Sequence, residues 1–276
     1  MDFQKKLHRL KEYIKNCESA VVAFSGGVDS STLAAVSHDV LGERVIALTI
    51  RSPAIPTREI ENATRIAEEI GIRHDFLDTD ELINPEFKKN SPDRCYHCKR
   101  HILSIMVNFA RTNGYSYVFE GTNASEVEGH RPGFKALQEF EIVKTPWLEF
   151  GFTKDEIRKV ARDMGLSFHD KPSLACLASR IPFGDEIDGK VLRIVDEAEN
   201  AVMELAGVKQ VRVRNFKGIA VIEVSPDERV KFMSIEVMDA IVERLKKTGF
   251  RCVFFDMEGY RTGKLSSLSL NNNFSN

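Results

Sequence analysis

Two stretches of the chain combine residue types and spacings that suit chemistry. The first is Ser25-Gly26-Gly27-Val28-Asp29-Ser30, which follows the apolar run 20–24. Adjacent glycines let a backbone turn tightly and approach an anion closely. Backbone amides there, and the N-terminus of a helix that follows, offer partial positive charge to phosphate oxygens. Ser25, Ser30 and Ser31 add hydroxyl donors. Asp29 is a hard oxygen ligand of the kind that holds Mg2+ beside phosphates. The Gly-Lys-Ser/Thr ending of a Walker A loop is missing. The bland alternative is a glycine-rich strand-to-helix turn with a Ser/Asp cap.

The second stretch is Cys95-Tyr96-His97-Cys98, joined by Cys176 far along the chain. Thiols three residues apart can share a metal or form a small redox loop. Four readings are open. Three thiolates can hold a 4Fe–4S cluster and leave one iron open. Zinc would need His97 or His101 to complete four ligands. A thiol-persulfide relay needs one reactive cysteine and a resolving partner. All three can instead be small apolar residues. Cys17 and Cys252 fall in predicted regular structure without a partner motif and are read as core.

The elements that must position these residues alternate. Strands are expected at 20–24, 45–50, 72–77 and 117–120, and helices at 3–16, 29–41, 57–71, 97–113 and 153–165. Thr153 with Glu156 forms a capping-box pattern at the start of the last of these. Such alternation predicts an α/β fold with a doubly wound parallel sheet, whose ligands bind beyond the carboxyl ends of the strands. Both Ser25-Gly26-Gly27 and Gly121-Thr122-Asn123 fall there. After a loop-rich connection the pattern becomes helix 188–206, hairpin 208–214 and 219–224, helix 227–247 and strand 250–255, a smaller α+β unit. The domains expected are therefore 1–170, a cysteine-bearing connection 171–186, a C-terminal domain 187–265 and a frayed tail 266–276. On the expected strand 208–214, Arg212 and Arg214 share a face while Val211 and Val213 turn to the core. Paired guanidinium groups suit a phosphate, and a solvated strand face is the alternative.

The first motif matches SGGxDS and resembles the PP-loop ATP pyrophosphatases, which cleave ATP between the α and β phosphates and adenylylate their substrates. Glu120-Gly121-Thr122-Asn123-Ala124-Ser125-Glu126 resembles the GTNxxE segment of that superfamily. The resemblance implies that Gly121 lies near the nucleotide and that Glu126 serves the metal or pyrophosphate side. Beyond the loop, Arg131-Pro-Gly-Phe-Lys135, Cys176-Leu-Ala-Ser-Arg-Ile-Pro-Phe-Gly184, Val211-Arg-Val-Arg214 and Gly259-Tyr-Arg-Thr-Gly263 resemble the LarE family. That resemblance spans about residues 1–265.

It implies an ATP-dependent, AMP- and pyrophosphate-forming sulfur transferase of nickel-pincer cofactor synthesis. A carboxylate of a pyridinium mononucleotide is adenylylated and sulfur then replaces AMP. One branch of the family sacrifices a cysteine sulfur; in the other, three cysteines hold a 4Fe–4S cluster that carries an extra sulfide. Cys95, Cys98 and Cys176 resemble the second branch. By the same likeness Asp29 and Cys176 are catalytic, Ser25, Gly26, Gly27, Asp29 and Ser30 bind ATP with Mg2+, and Arg180 and Arg261 join Arg212 and Arg214 in holding the substrate phosphate. Glu199 aligns loosely with a family metal-site glutamate, and a surface carboxylate is the alternative. The family forms homo-oligomers.

Composition sets the bounds. With 276 residues, 42% hydrophobic and 29% charged, the chain can bury a sizeable core. A formal net charge of -2 supplies no basic field for nucleic acid, which argues against a tRNA thiolase using the same activation. A non-catalytic nucleotide or iron–sulfur sensor is the reading from a different class. No apolar run suits a membrane span, and the charged start of the chain lacks a signal-peptide stretch, so a cytoplasmic location is expected; the small-molecule nucleotide substrate is what the family resemblance implies. Five cysteines in that reducing setting favour metal or catalytic roles over disulfides.

Overall fold

Ala20-Val21-Val22 shows no polar alternation, as expected of a strand covered on both faces, and all three residues are fully buried. It forms β1 (Ala20–Ala23), the centre of a five-stranded sheet with β2 (Val45–Arg51), β3 (His74–Asp78), β4 (Tyr117–Phe119) and β5 (Val143–Lys144). The protein is described by a computed structural model covering residues 2–126, 133–172, 175–261 and 263–264. The strand order is β3-β2-β1-β4-β5. Every pairing is parallel, with Ala20 opposite Val45 on one side and Tyr117 on the other. The chain runs outward from β1 to β3 and returns to the far side of β1 as β4. That reversal opens a crevice at the carboxyl ends of β1 and β4.

Helices cover the sheet at Phe3–Asn16, Val28–Leu41, Thr57–Ile70, Arg94–Thr112 and Lys154–Asp163. The predicted capping box is present: Thr153 Oγ1 accepts from Glu156 N at 3.3 Å, and Glu156 Oε2 accepts from Thr153 N at 2.9 Å. β5 has only two residues, too few for a periodic signal. The short helix Pro146–Glu149 after it places Trp147, wholly buried, in the core with Phe152 at 5.0 Å between ring centroids. Cys17 is core as expected, and burial pushes its thiol up to about 11.

Contacts divide the chain into two units, Met1–Ser52, Thr57–Glu81 and Asp93–Leu174 in the first, and Pro53–Pro56, Leu82–Pro92 and Ala175–Asn276 in the second. Two segments before 170 thus pack with the second unit rather than the first. Asn90 accounts for one of them: its buried Nδ2 donates to Pro182 O at 2.7 Å and Asp185 O at 2.9 Å. In the second unit, helix Gly189–Ala206 precedes the hairpin of β6 (Val211–Phe216) and β7 (Ile219–Val224). Lys217 and Gly218, both at positive φ, make its two-residue turn. β8 (Cys252–Phe255) adds parallel to β7. The helix expected over 227–247 is two elements, a 3-10 segment Pro226–Phe232 and an α-helix Ile235–Thr248 that Ser234 caps at Val237 N. Cys252, expected in the core, is exposed on β8, which is an edge strand. Arg131, Pro132, Thr262 and the tail 266–276 lie outside the described residues.

The reciprocal cap generates a first expectation. Thr153→Ala should destabilise the protein by about 1 kcal/mol, read as a lower urea midpoint at an unchanged slope; an unmoved midpoint would show the cap contributes nothing.

Candidate active site

The chain leaves β1 at Ala23, and Phe24 N extends the ladder to Leu48 O at 2.8 Å. Gly26 then turns at φ +68°, where a Cβ would lie 3.1 Å from the Ala63 Cα. Neither the torsion nor the space suits another residue. Gly27 caps helix Val28–Leu41 and supplies no side chain to its first turn, so the amides at that end are turned toward an incoming anion. Ser25 Oγ and Ser30 Oγ meet at 3.0 Å across the loop, and Ser30 Oγ also donates to Gly27 O at 3.3 Å. Lys171 braces the turn by donating to Gly26 O at 2.9 Å while paired with Glu59 at 3.0 Å.

The turn after β4 closes on this loop. A Cβ on Gly121 would sit 3.1 Å from Ser30 N and 3.3 Å from the Asp29 carbonyl carbon. Asn123 Nδ2 donates to Asp29 Oδ1 at 3.2 Å, Lys154 Nζ pairs with Asp29 Oδ2, and Trp147 Nε1 donates to Asp29 O at 3.0 Å. Asp29 is thus oriented by three segments of the chain. A carboxylate beside serine hydroxyls is an oxygen donor set that fits Mg2+, an ion that completes its shell with water and phosphate. Glu126 ends the 3-10 turn Ala124–Glu126, half-buried, its N donating to Asn123 O at 3.1 Å.

Behind the loop, Thr49 Oγ1 donates to Phe24 O at 2.8 Å and lies 2.8 Å from His74 Nε2. The hydroxyl proton is committed to Phe24, so Nε2 carries the hydrogen. Burial holds the His74 imidazole below its ordinary value, against the opposing pull of Asp75 and Glu68. Lys99, one residue past the cysteine pair, binds Glu120 at 2.8 Å. Burial alone would raise the Glu120 carboxyl, but Lys99 and the Thr122 amide hold it below the ordinary carboxylate range.

Sequence reasoning missed Lys99, Trp147, Lys154 and Lys171. Lys154 and Lys171 reach partners 125 and 145 residues away, and no local pattern announces such a contact.

Cys95 and Cys98 are the second and fifth residues of helix Arg94–Thr112, exposed and half-buried respectively. Residues three apart share a helix face, and paired thiols suit a soft metal or an iron–sulfur group. Among the described residues, no group of three or more His, Cys, Asp or Glu side chains is gathered to hold a metal ion. His101 Nε2, one zinc candidate, is 2.8 Å from Thr79 Oγ1. Cys176 belongs to the second unit and is half-buried before the 3-10 turn Leu177–Arg180.

The arginines of the second unit differ from one another. Arg180, expected to bind an anion, is wholly buried. Its Nε and Nη2 donate to Glu199 at 2.7 and 3.0 Å, and Nη1 donates to Ala175 O at 2.7 Å and Cys176 O at 2.9 Å. With every guanidinium nitrogen engaged by protein, it is placed as a clamp. Glu199 is likewise wholly buried, so the surface reading is corrected. Both faces of β6 are covered: Val211 and Val213 are core as expected, and Arg212 and Arg214 are buried too. Arg214 pairs with Glu223 at 2.7 Å and donates to Ser179 O at 2.8 Å, while its Nε is buried without a hydrogen-bond partner. Arg212 lies 5.1 Å from the Tyr260 ring, and burial, then the nearby Arg180 charge, lowers its guanidinium from the ordinary value. Arg261 is exposed.

A family model described as NAD synthase matches residues 3–126. An uncharacterized protein of Synechocystis sp. is 36% identical over 95% of this chain and 97% of its own. The pyridinium-3,5-bisthiocarboxylic acid mononucleotide synthase of Lactiplantibacillus plantarum is 31% identical over 92% of this chain and 91% of its own. The tRNA-specific 2-thiouridylase of Rickettsia typhi is 29% identical, over 55% of this chain and 52% of its own.

Two outcomes are expected. Gly26→Ala should weaken ATP binding at least ~10-fold, about 1.4 kcal/mol, by calorimetric titration, and unchanged affinity would refute the role given to this turn. The second concerns acid. The folded chain holds His74 below the ordinary 6.5, so the unfolded chain binds the proton more readily. Stability should therefore rise with pH through this range and be lost as pH falls below about 6.5. Thermal midpoints of wild type and His74→Asn should diverge above that pH and converge below it; parallel curves would contradict the assignment.

Proposed function

The chain belongs to the LarE family of PP-loop sulfur transferases, and from that premise we propose that it adenylylates a carboxylate of a pyridinium mononucleotide and replaces AMP with sulfur. The observation that carries this reading is the loop Ser25–Ser30 opening at the crevice between β1 and β4, with Gly121 packed against its helix. A substrate carboxylate oxygen attacks the α phosphorus of ATP. The bond to the bridging oxygen breaks, and pyrophosphate leaves with its electron pair. The amides after Gly26 and the hydroxyls of Ser25 and Ser30 face the charge that develops on it. Lys154 adds a cation beside Asp29. Asp29 would hold Mg2+, which neutralises phosphate charge.

In the second step a sulfur nucleophile attacks the acyl carbon, the bond to AMP breaks, and AMP departs with the electron pair. Cys95, Cys98 and Cys176 are assigned as the ligands of a 4Fe–4S cluster, a group that supplies an iron open to an extra sulfide. Arg212 and Arg214 are assigned to the substrate phosphate: Arg214 Nε has no protein partner, and Arg212 is a buried cation next to another cation. Transfer of sulfur from Cys176 itself is the second reading, since Cys176 is partly exposed and held in a turn.

Incubation of the protein with ATP and pyridinium-3,5-biscarboxylic acid mononucleotide should release AMP and pyrophosphate in equal amounts; formation of ADP would overturn the proposal. Cys176→Ala should still form AMP while thiocarboxylate production drops to background. Anaerobic purification should give a coloured protein with iron and sulfide. A colourless, iron-free protein whose Cys176 loses its sulfur in one turnover would replace the cluster with the sacrificial reading. Thiolation of tRNA in place of the mononucleotide would favour the thiouridylase-like alternative.

A further inference from the structure

We infer that Arg180 and Glu199 are positioning residues, a buried strut that fixes the Cys176 turn to the backbone of β6 between Arg212 and Arg214. A fully buried ion pair is a poor choice for stability alone, because desolvation offsets much of the attraction and apolar replacements often do as well or better. Here both side chains are wholly buried and their remaining hydrogen-bonding groups are directed at particular backbone atoms. Arg180 Nη1 donates to Ala175 O at 2.7 Å, to Cys176 O at 2.9 Å and to Ser179 Oγ at 2.8 Å. Glu199 Oε1, besides taking Arg180 Nε at 2.7 Å, accepts from Val213 N at 3.1 Å. Val213 is the residue between the two arginines of β6.

The turn is held from its other end as well. Ser179 N and Ser179 Oγ both donate to Cys176 O, at 3.0 and 2.8 Å, and Ser179 O accepts from Arg214 at 2.8 Å. Arg214 is in turn fixed by Glu223 at 2.7 Å. Two arginine–glutamate pairs therefore clamp one short cysteine-bearing turn, and each pair also involves β6 or its hairpin partner. A cysteine that served only as core would need no such fixing of its carbonyl. A cysteine that must present its sulfur in one orientation does, because misplacement by about 1 Å costs on the order of 100-fold in rate.

The inference rests on the reading that Cys176 serves sulfur transfer, and the experiment separates the two. Arg180→Lys keeps the charge opposite Glu199 but cannot reach all three acceptors of the turn. Substrate-dependent exchange of labelled pyrophosphate into ATP should stay within about twofold of wild type, while single-turnover sulfur transfer falls roughly 10–100-fold. Cys176, identified by peptide mapping, should also alkylate several-fold faster with iodoacetamide, since a loosened turn exposes its thiol. The paired variant Arg180→Met with Glu199→Leu, which restores an apolar fit, should keep a wild-type unfolding midpoint and still transfer sulfur poorly. Wild-type transfer by either variant overturns the strut, as does an unchanged Cys176 alkylation rate in Arg180→Lys. If wild type transfers no sulfur, or Cys176→Ala transfers as well as wild type, the functional reading fails, and the alkylation rates alone then decide whether the strut holds the turn.

Discussion

The first unit depends on how closely two backbone turns approach each other at the carboxyl edge of its sheet. Gly121 lies so near Ser30 N and the Asp29 carbonyl carbon that a single methyl would crowd them. That approach follows from the strand order, because β1 and β4 are neighbours, which brings Asn123 to Asp29 although 94 positions of chain separate them. Once the two turns meet, other contacts become possible. Asn123 can reach Asp29, Trp147 can bond the Asp29 carbonyl, and Lys154 can pair with its carboxylate. Moving Asp29 then requires disturbing three segments at once, which is the kind of preorganisation an electrostatic site needs.

The second unit is built on a different kind of constraint. Arg180, Arg212 and Arg214 share a buried region with Glu199 and Glu223. Arg180–Glu199 and Arg214–Glu223 use that region for fixed geometry. Arg212 packs on the Tyr260 ring and donates to Val211 O at 2.8 Å.

Much of this was legible in the sequence where the physics is local. The unalternated run at β1, the helices over 3–16 and 29–41, and the Thr153–Glu156 cap all follow from patterns a few residues long. Gly26 was legible because a strand-to-helix turn at positive φ leaves little else possible. Non-local facts were not. β5 is too short to carry a period, and its role is to place Trp147. The segment 82–92 reads as irregular in sequence, yet Asn90 binds it to residues 182 and 185 of the second unit. The helix over 227–247 splits because Ser234 is a better cap than interior residue, a signal that hydrophobic spacing overrode.

The arginines show why residue type fixes chemistry less well than it fixes secondary structure. Arg180, Arg212, Arg214 and Arg261 are alike as candidates for an anion when only their side chains and the motifs around them are considered. Their surroundings separate them. Arg180 spends its donors on Glu199 and on the Cys176 turn, Arg214 keeps one buried nitrogen unpaired, Arg212 packs on an aromatic ring, and Arg261 stands exposed. Alternation along β6 correctly put Arg212 and Arg214 on one face, but it could not say that this face is also covered, since a strand buried on both sides and one buried on a single side share the same period. The turn that carries Cys176 meets this face at Arg214, which donates to Ser179 O. The orientation of Arg214 and the placement of the Cys176 turn are therefore coupled through one hydrogen bond, which no local pattern in the sequence announces.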